Sequence, residues 1–300
     1  MENKNENLVS AKFALWGPTG SGKDWVIRSF ARSLEQYNNE KSQRYDKDFE
    51  HIVYKNDGTT PEKIHAPEVN LNATTTGQAE DTVWVYERLG RRKTPSHIVS
   101  AHTHEILITN SAGVHSQELD NYAVNFTFEN ATCLLVLLDP TLVINGIVSM
   151  EGYQSMVNNL LTQLGKPSNG DKRFIAACIT KNDQLKTKRP SAHEEMILNF
   201  GAGMDEVFRL HTKSSRVELE VFSISSYGFL KDGKTANYND ELGNLKDKDS
   251  WAPINVEQPF FWLFEKVERN RLGRFSKELA KFLYGDQRQS NYRGYPRGKW

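Results

Sequence analysis

The segment whose chemistry is clearest is GPTGSGKD at residues 17–24, which has the spacing Gly-x-x-x-x-Gly-Lys. Glycines let the backbone curl so that its N–H groups point inward and can surround the phosphates of a nucleotide. Lys23 stands where it can reach the β- and γ-phosphate oxygens, and the start of a helix after the loop adds positive potential. Within this phosphate loop we expect nucleotide contacts from Gly17, Thr19, Gly20, Ser21, Gly22, Lys23 and Asp24.

Four further polar segments follow the phosphate loop along the chain. They are the threonine run at 74–76, the turn NSAG at 110–113, TKND at 180–183 and SSYG at 225–228. The last three each come directly after a stretch that predicts a strand. Each motif alone is weak, but this order is hard to obtain by chance.

The phosphate loop and these segments resemble the Ras-like (TRAFAC-type) P-loop GTPases over about residues 10–284. The resemblance implies that the ligand is GTP or GDP. Asp183 would accept hydrogen bonds from the ring N–H and the amino group of guanine, which adenine does not offer, and the stem of Lys181 would lie along the base. Ser226 best matches the serine that contacts guanine O6. The implied base contacts are Thr180, Lys181, Asp183, Ser225, Ser226 and Tyr227.

The resemblance also implies Mg²⁺, although two positions near the metal depart from the family. Asp24 replaces the usual Ser or Thr hydroxyl, and Asn110 replaces the usual Asp, so the summed charge around the ion is unchanged. Either the two residues compensate and Asp24, Asn110 and Thr76 serve the metal, or binding is weakly dependent on metal or independent of it. Thr76 is the favoured switch threonine, but Thr74 and Thr75 match the pattern equally well.

The family's water-orienting Gln is replaced by Val114, so we expect slow GTP hydrolysis that a partner stimulates. His115 can orient water, or it is simply a residue of a mobile switch. The expected catalytic set is Lys23, Thr76, Gly113 and His115. The alternatives are a nucleotide-binding scaffold that does not hydrolyse GTP and an ATP-dependent kinase or ATPase, which TKND argues against.

The elements that must hold these residues alternate between strand and helix, which predicts a doubly wound, mostly parallel sheet with one antiparallel edge strand in three α/β/α layers. Strands are predicted over 10–16, 82–88, 97–109, 132–138, 174–180 and 217–224. Helices are predicted over 23–37, 150–164, 192–211 and 256–284, the third of them broken near Gly201 and Gly203. We expect one domain over 1–284 with a long insertion at about 40–70, then a basic, disordered tail at 285–300.

The composition excludes several classes of function. The formal net charge is zero, which argues against nucleic acid as a partner, and no apolar run reaches the length of a membrane span. The polar N-terminus has no apolar signal region, so we expect a cytoplasmic protein with two buried free cysteines. A protein partner is expected to contact the switch loops. The segment INVEQPFFWLFEKV at 254–267 resembles bacterial GTPases of defence or conflict systems.

Overall fold

The computed structural model describes residues 9–18, 20–23, 25–30, 32–33, 50–55, 80–89, 101–110, 131–164, 172–185, 191–213, 216–239, 244–267 and 269–270. The chain divides into two units, residues 1–263 and 264–300. In the second unit, residues 264–267, 269 and 270 are helical, and Arg269 forms an ion pair with Glu265. The prediction of a single domain over 1–284 stays a prediction.

The first unit is built on a seven-stranded sheet in the order β2-β3-β4-β1-β5-β6-β7. The strands are β1 Val9–Trp16, β2 Glu50–Lys55, β3 Glu80–Leu89, β4 Ala101–Asn110, β5 Cys133–Leu138, β6 Arg173–Ile179 and β7 Val217–Ser223. The strands from β4 to β7 in this order pair in parallel, whereas β3 is antiparallel to both of its neighbours. The α/β fold class predicted from the sequence is therefore confirmed. The structure adds β2, which pairs with β3 on the outside in a region for which no strand was predicted.

Helices follow the central strands. In α1, residues 23, 25–30, 32 and 33 are helical, and α6 covers helical residues 257–263. The other helices are α2 Pro140–Ile144, α3 Met150–Leu164, α4 Ala192–Phe200 and α5 Ala202–Thr212. The predicted helix over 150–164 is confirmed, and so is the break near Gly201, which caps α4 and precedes α5. A small hairpin of β8 Tyr238–Asn239 and β9 Asn244–Leu245 lies between β7 and α6.

The core covers both faces of the central strands. On one face, side chains of β1, β5 and β6 pack with α3, α4 and α5 in a single cluster that includes Trp16, Val136, Tyr153 and Phe200. The alternate residues of the same strands, such as Phe13, are also buried, and Phe30 of α1 stacks on Phe260 of α6 with ring centroids 3.8 Å apart. Because both faces of β5 and β6 are covered, none of their residues is exposed, and all of them except Arg173 at the start of β6 are apolar.

None of the described helices is both long enough and apolar enough to cross a bilayer. Cys133 and Cys178 are free and fully buried in β5 and β6, as predicted. Burial raises the pKa of both thiols well above the usual range, because a thiolate would lose its hydration there. Neither cysteine is therefore a candidate nucleophile.

Candidate nucleotide site

Four polar segments lie at the carboxyl ends of neighbouring parallel strands. The phosphate loop follows β1, Asp139 follows β5, residues 180–183 follow β6, and residues 224–228 follow β7. Carboxyl ends of parallel strands meet at one edge of a sheet, which is where open α/β folds bind ligands. The sheet therefore brings together the predicted phosphate and base motifs, which are separated by more than 150 residues in the sequence.

The phosphate loop turns tightly at its glycines. Gly20 and Gly22 have φ angles of 81° and 86°, a left-handed conformation that suits glycine. The N–H of Ser21 donates to the carbonyl of Pro18 at 3.1 Å, and the first turn of α1 closes when the N–H of Val26 donates to the carbonyl of Gly22 at 2.9 Å. A Cβ on Gly17 would lie 2.4 Å from Ser21 Oγ and 2.9 Å from Leu137 Cβ, so a larger residue would force its neighbours to move.

Lys23 lies at the start of α1 with its side chain buried in the loop. Its Nζ donates to the carbonyl of Gly17 at 2.8 Å, and the residue is only 8% exposed. A phosphate oxygen would accept a stronger, charge-assisted hydrogen bond from this ammonium than a neutral carbonyl does. The positive end of α1 adds to this potential, so the loop suits phosphate groups.

Residues 180 and 181 connect the loop after β6, residues 180–183, to the end of β5. The hydroxyl of Thr180 donates to the carbonyl of Leu138 at 3.3 Å. Lys181 takes a left-handed backbone conformation with φ of 56°, and its Nζ lies 2.7 Å from Oδ2 of Asp139. Asp139 also caps α2, because its Oδ1 accepts from the N–H of Thr141 at 2.9 Å. The predicted contact of Lys181 with a base stays a prediction.

Asp183 is held in place by residues 224–228 after β7, which we call the serine loop. The hydroxyl of Ser225 donates to Oδ1 of Asp183 and accepts from the N–H of Gly228 at 2.8 Å. Asp183 is 6% exposed, and Ser225 is fully buried. One serine hydroxyl therefore joins the two segments that were predicted to bind a base.

Behind this loop lies a buried carboxylate that the sequence did not single out. Glu195 of α4 is 2% exposed and accepts from the hydroxyl of Ser223 at 2.5 Å. The amide of Asn182 donates to the same hydroxyl and lies 3.5 Å from Oε2 of Glu195. These bonds fix Asn182 and thereby support the segment 180–183.

Ser226 is fixed from two directions through its carbonyl oxygen. This oxygen accepts from the indole Nε1 of Trp251 at 2.8 Å and lies 2.9 Å from the hydroxyl of Ser29 in α1, whose single hydrogen it shares with the carbonyl of Trp25 at 2.5 Å. Ser29 therefore links α1, which follows the phosphate loop, to the loop that follows β7. Ser29 and Trp251 were not predicted as site residues, because each is remote from the serine loop in sequence.

An aromatic cluster packs beside the serine loop. It consists of Trp25 from α1, Tyr227, Tyr238 and Trp251, joined by Leu245. The rings of Trp25 and Tyr227 lie 4.6 Å apart, and those of Tyr227 and Tyr238 lie 4.8 Å apart. The ring of Tyr227 thus packs inside the protein, while its predicted contact with the nucleotide stays a prediction.

Several predicted site residues lie outside the described part of the chain. They are Thr19, Asp24, Thr76, Gly113 and His115. Asn110 is placed as the last residue of β4, where it pairs with Leu15, but only its backbone is described. Among the described residues, no group of three or more His, Cys, Asp or Glu side chains is arranged to hold a metal. The metal set Asp24, Thr76 and Asn110 therefore stays a prediction.

Comparisons with known proteins give only distant likenesses. The sequence matches no protein-family model, and no curated protein matches it. A chain of the signal recognition particle receptor SRb-GTP/SRX complex from Chaetomium thermophilum is similar at 15% identity with a TM-score of 0.44, over 75% of this chain and 94% of that chain. The S. cerevisiae Ski7 GTPase-like domain, bound to GTP, is similar at 12% identity with a TM-score of 0.44, over 88% of this chain and 50% of that chain. This chain therefore spans about half of the second structure's chain, and neither likeness says what this chain binds.

Proposed function

We propose that this protein is a guanine-nucleotide-binding switch that hydrolyses GTP slowly. The observation that supports this most is the position of Asp183, a nearly buried carboxylate held by Ser225 at the sheet edge that also carries the phosphate loop. A phosphate loop alone fits any nucleotide. A fixed carboxylate at the base end selects among the bases.

The carboxylate favours guanine because it can only accept hydrogen bonds. Guanine offers a ring N–H and an amino group side by side, and one carboxylate can accept from both. Adenine presents a ring nitrogen acceptor at the first of these positions, so the carboxylate would be desolvated without full compensation. Sites of this kind discriminate by large factors, and we expect at least about 100-fold preference for GDP over ADP.

The phosphate end of the site fits the rest of the ligand. Lys23 is buried within the curled loop, and its bond to the carbonyl of Gly17 can be exchanged for a stronger bond to a phosphate oxygen. A Cβ added to Gly20 or Gly22 would meet no atom of the described residues within 4 Å, which favours the approach of an anion to the backbone there.

For Mg²⁺ we propose that Asp24 ligates the ion and that Asn110 positions a coordinating water, with Thr76 completing the set. When bound, the ion would neutralise charge on the β- and γ-phosphates. Because the place of Gln is taken by Val114, GTP hydrolysis is expected to be slow without a partner. We propose that this partner is a protein that contacts the switch segments near Thr76 and His115, in a bacterial defence or conflict system.

The decisive test is a binding panel measured by calorimetry with purified protein. We expect GDP and GTP to bind at least about 100-fold more tightly than ADP and ATP. Equal or tighter binding of adenine nucleotides would overturn the guanine assignment. Repeating the panel with Mg²⁺ and with EDTA tests the metal, since an affinity for GTP that does not respond to Mg²⁺ removes the proposed roles of Asp24 and Asn110.

The variant Asp183→Asn tests whether this single residue selects guanine. Asn can still accept from Ser225, but it cannot accept twice from guanine, so GDP affinity should fall by about 100-fold or more. Xanthine has a carbonyl where guanine has an amino group, and the Asn amide can donate to it. Xanthosine diphosphate should therefore bind the variant better than it binds the wild type. That gain also serves as the control that the variant is folded.

A measurement of GTP turnover distinguishes a switch that hydrolyses GTP from a scaffold that only binds it. We expect slow release of phosphate from GTP by the purified protein, and Lys23→Ala should abolish both binding and release. Tight GTP binding with no release over many hours would instead indicate the scaffold without hydrolysis.

A further inference from the structure

We propose that the segment 251–254 is part of the nucleotide site and that Trp251 is a positioning residue for recognition of the 6-oxo group of guanine. The proposal rests on the proposed function. It comes from how this segment holds the two peptide groups on either side of the Cα of Ser226.

The first peptide group joins Ser225 to Ser226. Its carbonyl accepts from the N–H of Ile254 at 2.8 Å, and the N–H of Ser225 donates to the carbonyl of Ile254 at 3.0 Å. No described peptide bond is cis, and in a trans peptide the C=O and N–H point in opposite directions. The N–H of Ser226 therefore points away from Ile254. Within the described part of the chain, that N–H makes no hydrogen bond.

The second peptide group joins Ser226 to Tyr227. Its carbonyl accepts from the indole N–H of Trp251 at 2.8 Å and shares the hydroxyl hydrogen of Ser29, 2.9 Å away, with the carbonyl of Trp25. Because hydrogen bonds hold both peptide groups, the direction of the N–H of Ser226 is restricted before a ligand arrives. A donor fixed in advance binds its acceptor without the cost of ordering the loop.

The N–H of Ser226 is connected to the carboxylate of Asp183 through a single residue. Ser225 joins the two, because its hydroxyl bonds Asp183 while its carbonyl belongs to the peptide group that carries the N–H of Ser226. A ligand edge that has an acceptor next to a donor matches this pair. Guanine has that edge, with O6 beside the ring N–H, whereas adenine has the opposite pattern. Under the proposed function, in which Ser226 contacts O6 and Asp183 the ring N–H, this N–H is the group that Trp251 positions.

The segment 251–254 and the residues that precede it are held by further contacts. The carbonyl of Ala252 lies against Gly228, where an added Cβ would be 2.0 Å from that oxygen. The side-chain amide of Asn237, which is fully buried, bonds both the N–H and the carbonyl of Asp247 at 2.8 and 2.7 Å. Trp251 itself is 6% exposed in the aromatic cluster. The chain between β7 and α6 thus holds the serine loop in position.

The test compares GDP with 6-thioguanosine diphosphate in the wild type and in Trp251→Phe. The thio analogue keeps the ring N–H and the amino group but has sulfur, a poor acceptor, in place of O6. Phe keeps most of the packing of Trp251 and removes its N–H. We expect Trp251→Phe to bind GDP about fivefold more weakly and the analogue less than about twofold more weakly, so that the preference for GDP falls.

Trp262→Phe is the matched control, because the ring of Trp262 packs edge-on against Phe222 at 5.9 Å and not against the serine loop. It should leave the ratio of the two affinities unchanged. Selective GDP binding by the wild type with an unchanged ratio in Trp251→Phe would overturn the role of Trp251 and leave the proposed function standing. A wild type that does not prefer guanine nucleotides would instead overturn the proposed function.

Ser29→Ala keeps the proposal testable if Trp251→Phe fails to fold. It removes the hydroxyl that the carbonyl of Ser226 shares with the carbonyl of Trp25, so it should also lower the preference for GDP over the thio analogue. An unchanged ratio in a folded Ser29→Ala variant would count against fixation of this peptide group.

Discussion

The Nζ atom of Lys181 lies 2.7 Å from Oδ2 of Asp139, and the Asp139 side chain is fully buried while that of Lys181 is 20% exposed. The pair joins the end of β5 to the loop that follows β6. Asp139 is held further by its backbone N–H, which donates to the hydroxyl of Tyr153 at 2.8 Å. Its carboxylate thus sets the position of the segment 180–183 without having been predicted as a site residue.

Asp139→Asn should lower the free energy of unfolding by about 2 kcal/mol. The Asn oxygen can still cap α2, but the charge of Lys181 loses its partner. The figure lies below that for fully buried pairs because water partly screens Lys181. Urea unfolding followed by circular dichroism measures the change.

The matched control is Asp205→Asn, which removes a carboxylate 3.4 Å from His193 on the surface, where both side chains are about half exposed. It should cost less than about 0.5 kcal/mol. Equal effects of the two substitutions would contradict a special role for Asp139.

Gly228→Ala should destabilise the protein by about 3 kcal/mol. Gly228 has φ of 71°, and an added Cβ would lie 2.0 Å from the carbonyl of Ala252, so the segment 251–254 would have to move. Gly233→Ala separates the cost of a left-handed backbone from the cost of the contact with Ala252. Gly233 has φ of 65° with no atom within 4 Å of the added Cβ, so only the backbone cost of about 1 kcal/mol is expected. Thermal and urea unfolding of the two variants would show no difference if the contact with Ala252 were unimportant.

His211 should make stability depend on pH in the mildly acidic range. Burial lowers its pKa below the ordinary value of 6.5, and its Nε2 lies 3.0 Å from Oδ1 of Asn158. The unfolded chain therefore takes up a proton first, so stability is full above about pH 6.5 and falls as the pH drops toward the lowered pKa. The urea midpoint of the wild type should decrease more between pH 7.5 and 5.5 than that of His211→Gln. Parallel pH profiles would exclude this histidine as the cause.

Much of the fold followed from local patterns. The apolar runs of β5 and β6 predicted buried parallel strands, and the spacing in 150–164 predicted α3 with its observed bounds. By contrast, the sequence EHIVYK of β2 is short and flanked by polar residues, so nothing local distinguishes it from a loop. It becomes a strand through its pairing with β3, which is a non-local interaction.

The sequence by itself determined which polar groups the candidate site contains, because the phosphate loop, TKND and SSYG carry their glycines, lysine, carboxylate and hydroxyls in contiguous motifs. Only the tertiary structure decided which residues hold those groups. Asp139 reaches Lys181, and Trp251 reaches Ser226, because the order of parallel strands and the path of the chain after β7 bring distant residues to one sheet edge. Hydrogen bonds of this kind depend on separations of about 3 Å in space, and spacing along a chain does not encode them.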